Sequence, residues 1–261
     1  MALIAVERLE KVYKAARGEE IHALHNVNFS VEDGEFVTVV GPSGCGKSTL
    51  LKILAGLLLR TSGTVLLKGT PIDGPRRDIG MVFQSPVLLP WRSVLDNTLF
   101  PIEILKLDKK KYETKARELL KLVGLEGFEQ RFPFELSGGM QQRNAIVRAL
   151  IHDPAVLLMD EPFGALDAMT RESMNLELLR IWSEAKKTVI FVTHSIPEAI
   201  FMADKVLVLS CRPGTVVEIE EVNLPRPRNL DMMASDAFGV YTRRVRDLFE
   251  QSGGHTIQGV M

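Results

Sequence analysis

A chain of 261 residues is long enough to bury a full core and form one large domain, with room for a subdomain. Apolar residues make up 46% and charged residues 25%, the balance of a soluble globular protein, and the net charge of −1 argues against a dedicated nucleic-acid binder. Two cysteines, Cys45 and Cys211, exclude a disulfide framework and a cysteine metal cluster, which points to a reducing cytosol. The start, residues 1–8, carries too short an apolar run for a signal peptide. The longest apolar stretch, residues 53–59, falls well short of the ~20 residues that a membrane span needs. The expectation is a chain that does not cross a bilayer but is free to sit against one through a partner.

In chain order, Leu3, Ala5, Leu9, Val12 and Tyr13 lie among charges and predict one or two opening strands. Residues 17–20 read as a polar turn, and 27–31 as another strand. Asp33-Gly34 reads as a hairpin-type turn into a β-branched apolar strand at 36–40. A helix is predicted over 47–58, broken by Thr61-Ser62-Gly63, and strand resumes at 65–67. Residues 72–75 form a turn before a buried strand at 79–83. From about Ser93 to Leu150 the pattern is helical, with Tyr112, Ala116, Leu119, Leu120 and Val123 on one face and Gly124 as C-cap.

Strands return at 156–159, 189–192, 206–209 and 216–219, with helices between; Met174, Leu178, Ile181 and Trp182 supply the inner face of one helix. Strands alternating with helices imply a mostly parallel sheet covered on both faces, with the helical block (about 88–152) inserted as a subdomain. Residues 223–228 read as an extended linker. Phe238, Tyr241, Val245, Leu248 and Phe249 fit a terminal amphipathic helix, with fraying expected from Ser252-Gly253-Gly254 onward. The division expected is one domain over 1–227, followed by a C-terminal helix and tail over 228–261.

The chemistry is concentrated at Gly41-Pro42-Ser43-Gly44-Cys45-Gly46-Lys47-Ser48-Thr49, which fits the phosphate-loop pattern between a strand and a helix. Glycines let main-chain N–H groups curl around phosphate oxygens, and the helix N-terminus adds its positive dipole end. Lys47 is expected to reach the β and γ phosphates and the Ser48 hydroxyl to ligate Mg²⁺. Cys45, beside Lys47 and a helix start, is expected to have a lowered thiol pKa and to serve as a filler; its alkylation would block ATP, and ATP would protect it. Farther on, an apolar strand ends in Asp160 and Glu161. The end of a buried strand is where α/β sheets bind ligands, so Asp160 is assigned to Mg²⁺ and Glu161 to polarising an attacking water.

Leu136-Ser137-Gly138-Gly139-Met140 places a good N-cap before two bare amides, which makes a second phosphate-binding cap or an ordinary capped helix. Here the sequence resembles the ABC ATPase family, whose signature begins Leu-Ser-Gly-Gly, and the resemblance covers most of residues 3–225. It implies an α/β phosphate-loop NTPase (RecA-like) core with a mostly parallel sheet, an N-terminal antiparallel β portion and an inserted helical subdomain. It also implies ATP and Mg²⁺ as cofactors, the ATP sandwiched head to tail between the phosphate loop of one copy and Ser137, Gly138 and Gly139 of another. The family's usual glutamine at the fifth signature position is Met140, which forgoes a capping-box bond.

By the same resemblance Tyr13 stacks on adenine, unless it is a core aromatic. Gln84 is the glutamine that touches Mg²⁺ and water, or else a solvated loop residue. Ala165-Leu166-Asp167 crosses to the partner copy. His194 contacts the γ-phosphate, the alternative being a structural histidine. Residues 88–94, with Trp91, take a helix of a membrane subunit or else contribute Trp91 to the core. Residues 88–94, Arg212-Pro213-Gly214 and 224–228 look like importers of the nitrate, sulfonate and taurine type. The partners implied are transmembrane permease subunits and, indirectly, an extracytoplasmic solute-binding protein, with no nucleic acid and a peripheral place at the cytoplasmic face of the membrane. The alternatives weighed are a soluble ABC ATPase acting on ribosomes or DNA and a nucleotide-gated module without turnover.

Overall fold

The structure, a computed structural model, describes residues 2–14, 19–164, 166–185 and 187–252. Arg17, Gly18 and Ala165, and the tail from Gly253 on, lie outside the described residues. The chain forms two compact units, Met1–Arg76 with Thr188–Met261, and Arg77–Lys187.

The first unit contains β1 (Ile4–Lys14), β2 (Glu20–Val31), β3 (Phe36–Val40), α1 (Lys47–Leu54), β4 (Ser62–Leu67) and β5 (Thr70–Pro71). The second contains β6 (Ile79–Val82), α2 (Val94–Ile104), α3 (Lys109–Leu122), α4 (Gly138–Leu150), β7 (Val156–Asp160) and α5 (Ala168–Ala185). The chain then returns to the first unit with β8 (Thr188–Val192), α6 (Ile196–Met202), β9 (Lys205–Leu209), β10 (Val216–Glu221) and α7 (Asp236–Gln251).

Within the first unit β2, β1, β4 and β5 form an antiparallel sheet in that order. A second sheet runs β10-β9-β3-β8, in which β3 lies parallel to both β8 and β9. Every residue of β3 and β8 is buried. A strand covered on both faces reads as a near-continuous apolar run, which is why these two carry mostly β-branched residues, with Phe36 and Phe191 among them, rather than alternating with charges. Phe36 and Phe191 pack across the pair with ring centroids 6.0 Å apart.

Four boundaries differ from the sequence reading. The strand expected at 27–31 begins at Glu20, because pairing with β1 continues from Val31 opposite Ile4 to Glu20 opposite Lys14. Asp33-Gly34 makes no hairpin: β2 and β3 belong to different sheets, and the turn hands the chain from one to the other. Helix α1 stops at Leu54 rather than 58. The stop is Gly56, at φ +70°, where a Cβ would lie 2.0 Å from the Gly74 carbonyl oxygen. Ser62 and Gly63, read as a break, lie inside β4. Gly63 at φ +86° presses on the Arg8 backbone where the β1–β4 register slips, a bulge rather than an end.

In the second unit β6 and β7 run parallel, Val82 opposite Met159. The helices bury one face each: Val94, Leu95, Leu99 and Ile102 of α2, Ala116 and Leu120 of α3, and Ala145, Ile146 and Val147 of α4. Ser93, Asp108 and Ser137 cap α2, α3 and α4 by accepting from the amides of Asp96, Lys110 and Met140. The last turn of α3 closes on Gly124 at φ +66°.

Candidate active site

In the first unit β3 runs straight into the phosphate loop, and α1 begins at Lys47 on its far side. The loop is tight enough to require its glycines. A Cβ on Gly41 would lie 2.7 Å from Cys45 Sγ, and one on Gly46, at φ +111°, would lie 2.8 Å from the Ala23 carbonyl oxygen. Cys45 N–H donates to Pro42 O at 3.2 Å, closing the curl. Lys47 is only 7% exposed, and its ammonium donates to Gly41 O at 2.7 Å and Pro42 O at 3.1 Å. Those two bonds offset the desolvation of the charge and hold it over the loop. Ser43, Gly44 and the Ser48 hydroxyl group's residue face solvent.

Tyr13, at the end of β1, is 38% exposed and no part of the core. Its hydroxyl lies 3.3 Å from Thr49 Oγ1, and Lys11 Nζ sits 5.0 Å from its ring centroid. An exposed aromatic is therefore tethered beside the phosphate loop. Cys45 corrects an expectation: burial raises its thiol pKa, outweighing the lowering by nearby Lys47.

The turn Arg212-Pro213-Gly214 proves to lie behind the loop, a placement the sequence reading missed. Gly214 N–H donates to Ala23 O at 3.0 Å and Gly214 O accepts from His25 N–H at 3.0 Å. A Cβ on Gly214 would lie 2.2 Å from the Cys45 carbonyl oxygen.

His194 is exposed on the turn that follows β8. Because β8 lies beside β3 in parallel register, Val192 near Val39, the histidine turn and the phosphate loop leave the same end of the sheet. That end is the usual ligand crevice of a parallel sheet.

In the second unit β7 is buried from Val156 to Met159 and emerges at Asp160. Glu161 follows at φ +44°, a left-handed conformation that few non-glycine residues adopt and that concentrates at functional sites. Its carbonyl accepts from Gly164 N–H at 3.1 Å. Gly164 lies against both residues: a Cβ there would be 3.5 Å from Gln84 Nε2 and 3.7 Å from Glu161 Cβ, ordinary contact distances that place the two side chains beside the same glycine. Gln142 of α4 donates to Phe83 O at 3.3 Å and so ties the helix that starts with Gly138 to the segment carrying Gln84.

Ser137 Oγ accepts from Met140 N–H at 3.3 Å, as an N-cap should. Ser137, Gly138 and Gly139 line an open cleft of about 670 Å³ together with Asp167, Met169 and Thr170. Asp167 caps α5 through Thr170 N–H at 3.0 Å, and its bonds from Thr170 hold its carboxyl below the usual carboxylate range.

Trp91 is 71% exposed, which removes the core alternative for it. Its turn is stitched by fully buried Asn97, which accepts from Leu89 N–H at 2.8 Å and donates to the carbonyls of Leu89, Arg92 and Ser93. Arg148 holds the preceding carbonyls of Pro86 and Val87, each at 2.8 Å. Among the described residues no helix is long and apolar enough to cross a membrane.

A glycine-curled phosphate loop at the end of a parallel sheet, with an acid pair closing another strand, defines a phosphate-loop nucleotide hydrolase of α/β class. Comparison with known proteins narrows the class. The ABC transporter family model matches residues 24–164. An ABC transporter ATP-binding protein of Methanocaldococcus jannaschii is 51% identical, over 87% of this chain and 84% of its own. The taurine import ATP-binding protein of Pelagibacter ubique is 48% identical, over 86% and 84%. The aliphatic sulfonates import ATP-binding protein of Bacillus cereus is 44% identical, over 96% and 97%. Among solved structures, a dimeric bacterial ABC transporter cassette matches with TM-score 0.74 and 36% identity, covering 85% of this chain and all of that one. A dimeric cassette in a post-hydrolysis state with ADP and phosphate matches with TM-score 0.72 and 35% identity, over the same shares. The chain belongs to the ABC transporter family, as an ATP-binding cassette that hydrolyses ATP.

Proposed function

We propose that this cassette drives uptake of a small sulfonate-like solute, as the taurine and aliphatic sulfonates import proteins that it resembles are named for. It works as a head-to-tail pair, docked on transmembrane permease subunits at the cytoplasmic face of the membrane, with an extracytoplasmic solute-binding protein delivering the cargo. The observation that carries the docking is Trp91, a large apolar side chain held out to solvent by a turn that Asn97 makes rigid. An indole fixed outside the core suits a partner's helix better than water.

In this reading Lys47 and the amides of 41–49 bind the triphosphate, Tyr13 stacks on the adenine, and Glu161 takes the proton of the attacking water. His194 steadies the γ-phosphoryl group, and Ser137, Gly138 and Gly139 of the second copy close over it, with Asp167 at the crossing between copies. Catalysis then rests on positioning and on charge stabilisation. Ser48, Asp160 and Gln84 would hold Mg²⁺. A serine hydroxyl, a carboxylate and an amide oxygen are the hard oxygen donors that suit that ion. The ion would supply positive charge against the negative charge that develops in phosphoryl transfer.

Two experiments test the proposal. Glu161→Gln should keep ATP affinity, lose turnover and accumulate as a closed dimer, whereas Lys47→Ala should weaken nucleotide binding itself. For transport, the chain should co-purify from detergent-solubilised membranes with a multi-span protein. Taurine or an alkanesulfonate should stimulate ATPase in the reconstituted complex; stimulation by neither would remove the assigned solute class.

A further inference from the structure

We infer that Glu198 is a positioning residue for His194, fixing the turn that presents the histidine through Thr193 and Ser195. The inference rests on the role proposed above for His194.

Glu198 lies in the first turn of α6 and is only 8% exposed. The Thr193 hydroxyl donates to Glu198 Oε2 in a short hydrogen bond. Thr193 Oγ1 in turn accepts from Ser195 N–H at 3.0 Å, and Ser195 Oγ accepts from Glu198 N–H at 3.3 Å. The residues immediately before and after His194 are thus closed into one ring of bonds, with the histidine at its apex. Both ends of that ring are fastened to β3. Thr193 N–H donates to Val39 O at 3.2 Å, and the Thr38 hydroxyl donates to Ala199 O at 3.3 Å. Since β3 runs directly into the phosphate loop, the ring references His194 to the strand that carries the loop.

Glu198 stands at the capping-box position of α6, but the Ser195 N–H that such an acid would accept from donates to Thr193 Oγ1 instead, so the carboxylate acts through the threonine. Acids are rarely this buried without compensation, and Glu198 Oε1 has no hydrogen-bond partner among the described residues. What the carboxylate supplies is a charge-assisted acceptor, which holds the Thr193 hydroxyl harder than a neutral one. With its hydrogen committed to Glu198, the threonine oxygen must present a lone pair to the Ser195 amide, and the backbone on either side of His194 has one arrangement.

The test compares single-turnover hydrolysis and ATP affinity in the full chain with Mg²⁺ for six variants. These are Glu198→Ala, Glu198→Gln, Thr193→Val, Thr193→Ser, His194→Ala and the double variant His194→Ala/Glu198→Ala. Glu198→Ala and Thr193→Val should slow hydrolysis roughly 10- to 100-fold, the scale of a misplaced group, with ATP affinity within about twofold of the parent. Thr193→Ser, which keeps the hydroxyl, should recover most of the rate, and Glu198→Gln, which keeps only a neutral acceptor, should recover part of it. In the His194→Ala background, Glu198→Ala should slow hydrolysis no further. A full extra loss in that background would overturn the inference while leaving the role of His194 standing. Undiminished hydrolysis by His194→Ala would instead remove the histidine's role and the inference with it. Should Glu198→Ala fail to fold, Thr193→Val deletes only the hydroxyl, and full activity in that variant would count against the ring.

Discussion

The backbone of Gly214 rests directly on that of Cys45: a Cβ at 214 would lie 2.2 Å from the Cys45 carbonyl oxygen. One residue after a proline, on the turn between β9 and β10, thereby backs the loop that is expected to hold the triphosphate. The contact is backbone against backbone, so no rotamer change relieves an added methyl group. Gly214→Ala should weaken ATP binding about tenfold, equivalent to ~1.4 kcal/mol. Titration with a fluorescent nucleotide checks this; unchanged affinity would mean the turn does not support the loop.

Burial makes Cys45 the slower of the two thiols. It is fully buried with a raised pKa, while Cys211 is partly exposed. The thiolate is the reactive form, so a raised pKa leaves less of it at pH 7. A maleimide should label Cys211 first in the native chain and reach Cys45 only on unfolding, as peptide mass mapping would read out. Rapid native labelling of Cys45 would contradict its placement.

The turn carrying Trp91 should loosen in acid. Arg92 donates to Glu103 at 2.6 Å, and Lys109 to Glu103 at 3.1 Å; these bonds, Arg92's first, hold the Glu103 carboxyl below the usual carboxylate range. A depressed carboxylate pKa adds stability above the unfolded value and loses it as pH falls through the folded one. Glu103→Gln should therefore cost about 1 kcal/mol near neutrality, and the gap to the parent should close below roughly pH 4. Thermal melts at several pH values measure it; a gap independent of pH would assign the loss to packing instead.

Trp91 and Asn97 should separate docking from folding. Trp91→Ala removes an exposed side chain and should change stability by no more than about 0.5 kcal/mol while abolishing co-purification with the membrane partner. Asn97→Ala strips several buried bonds and should destabilise by roughly 1–3 kcal/mol. Chemical denaturation gives both numbers; retained co-purification of Trp91→Ala would place the docking surface elsewhere.

Much of the site is legible in the sequence because it is written in local chemistry. Gly41 to Thr49, Ser137 to Gly139 and the acid pair after Val156–Met159 each carry their reason within a few residues, in bare amides, a cap or a buried strand's end. The buried runs at 36–40 and 189–192 are equally plain, since both faces of those strands are covered. The thiol of Cys45 is not legible in the same local view: Lys47 and the helix start are neighbours in sequence, but burial outweighs them.

The residues alone determined that an apolar strand, a glycine curl and a helix follow one another, and that a second capped helix presents free amides. Only the folded chain decided that β2 and β3 part into different sheets, that Gly56 ends α1 against Gly74, and that Gly214 braces Cys45. It alone set the Glu198 carboxylate under the His194 turn. The physical reason is range. Capping and strand patterning act over a few residues, whereas close backbone approach and burial are set by segments that can lie more than a hundred residues apart along the chain.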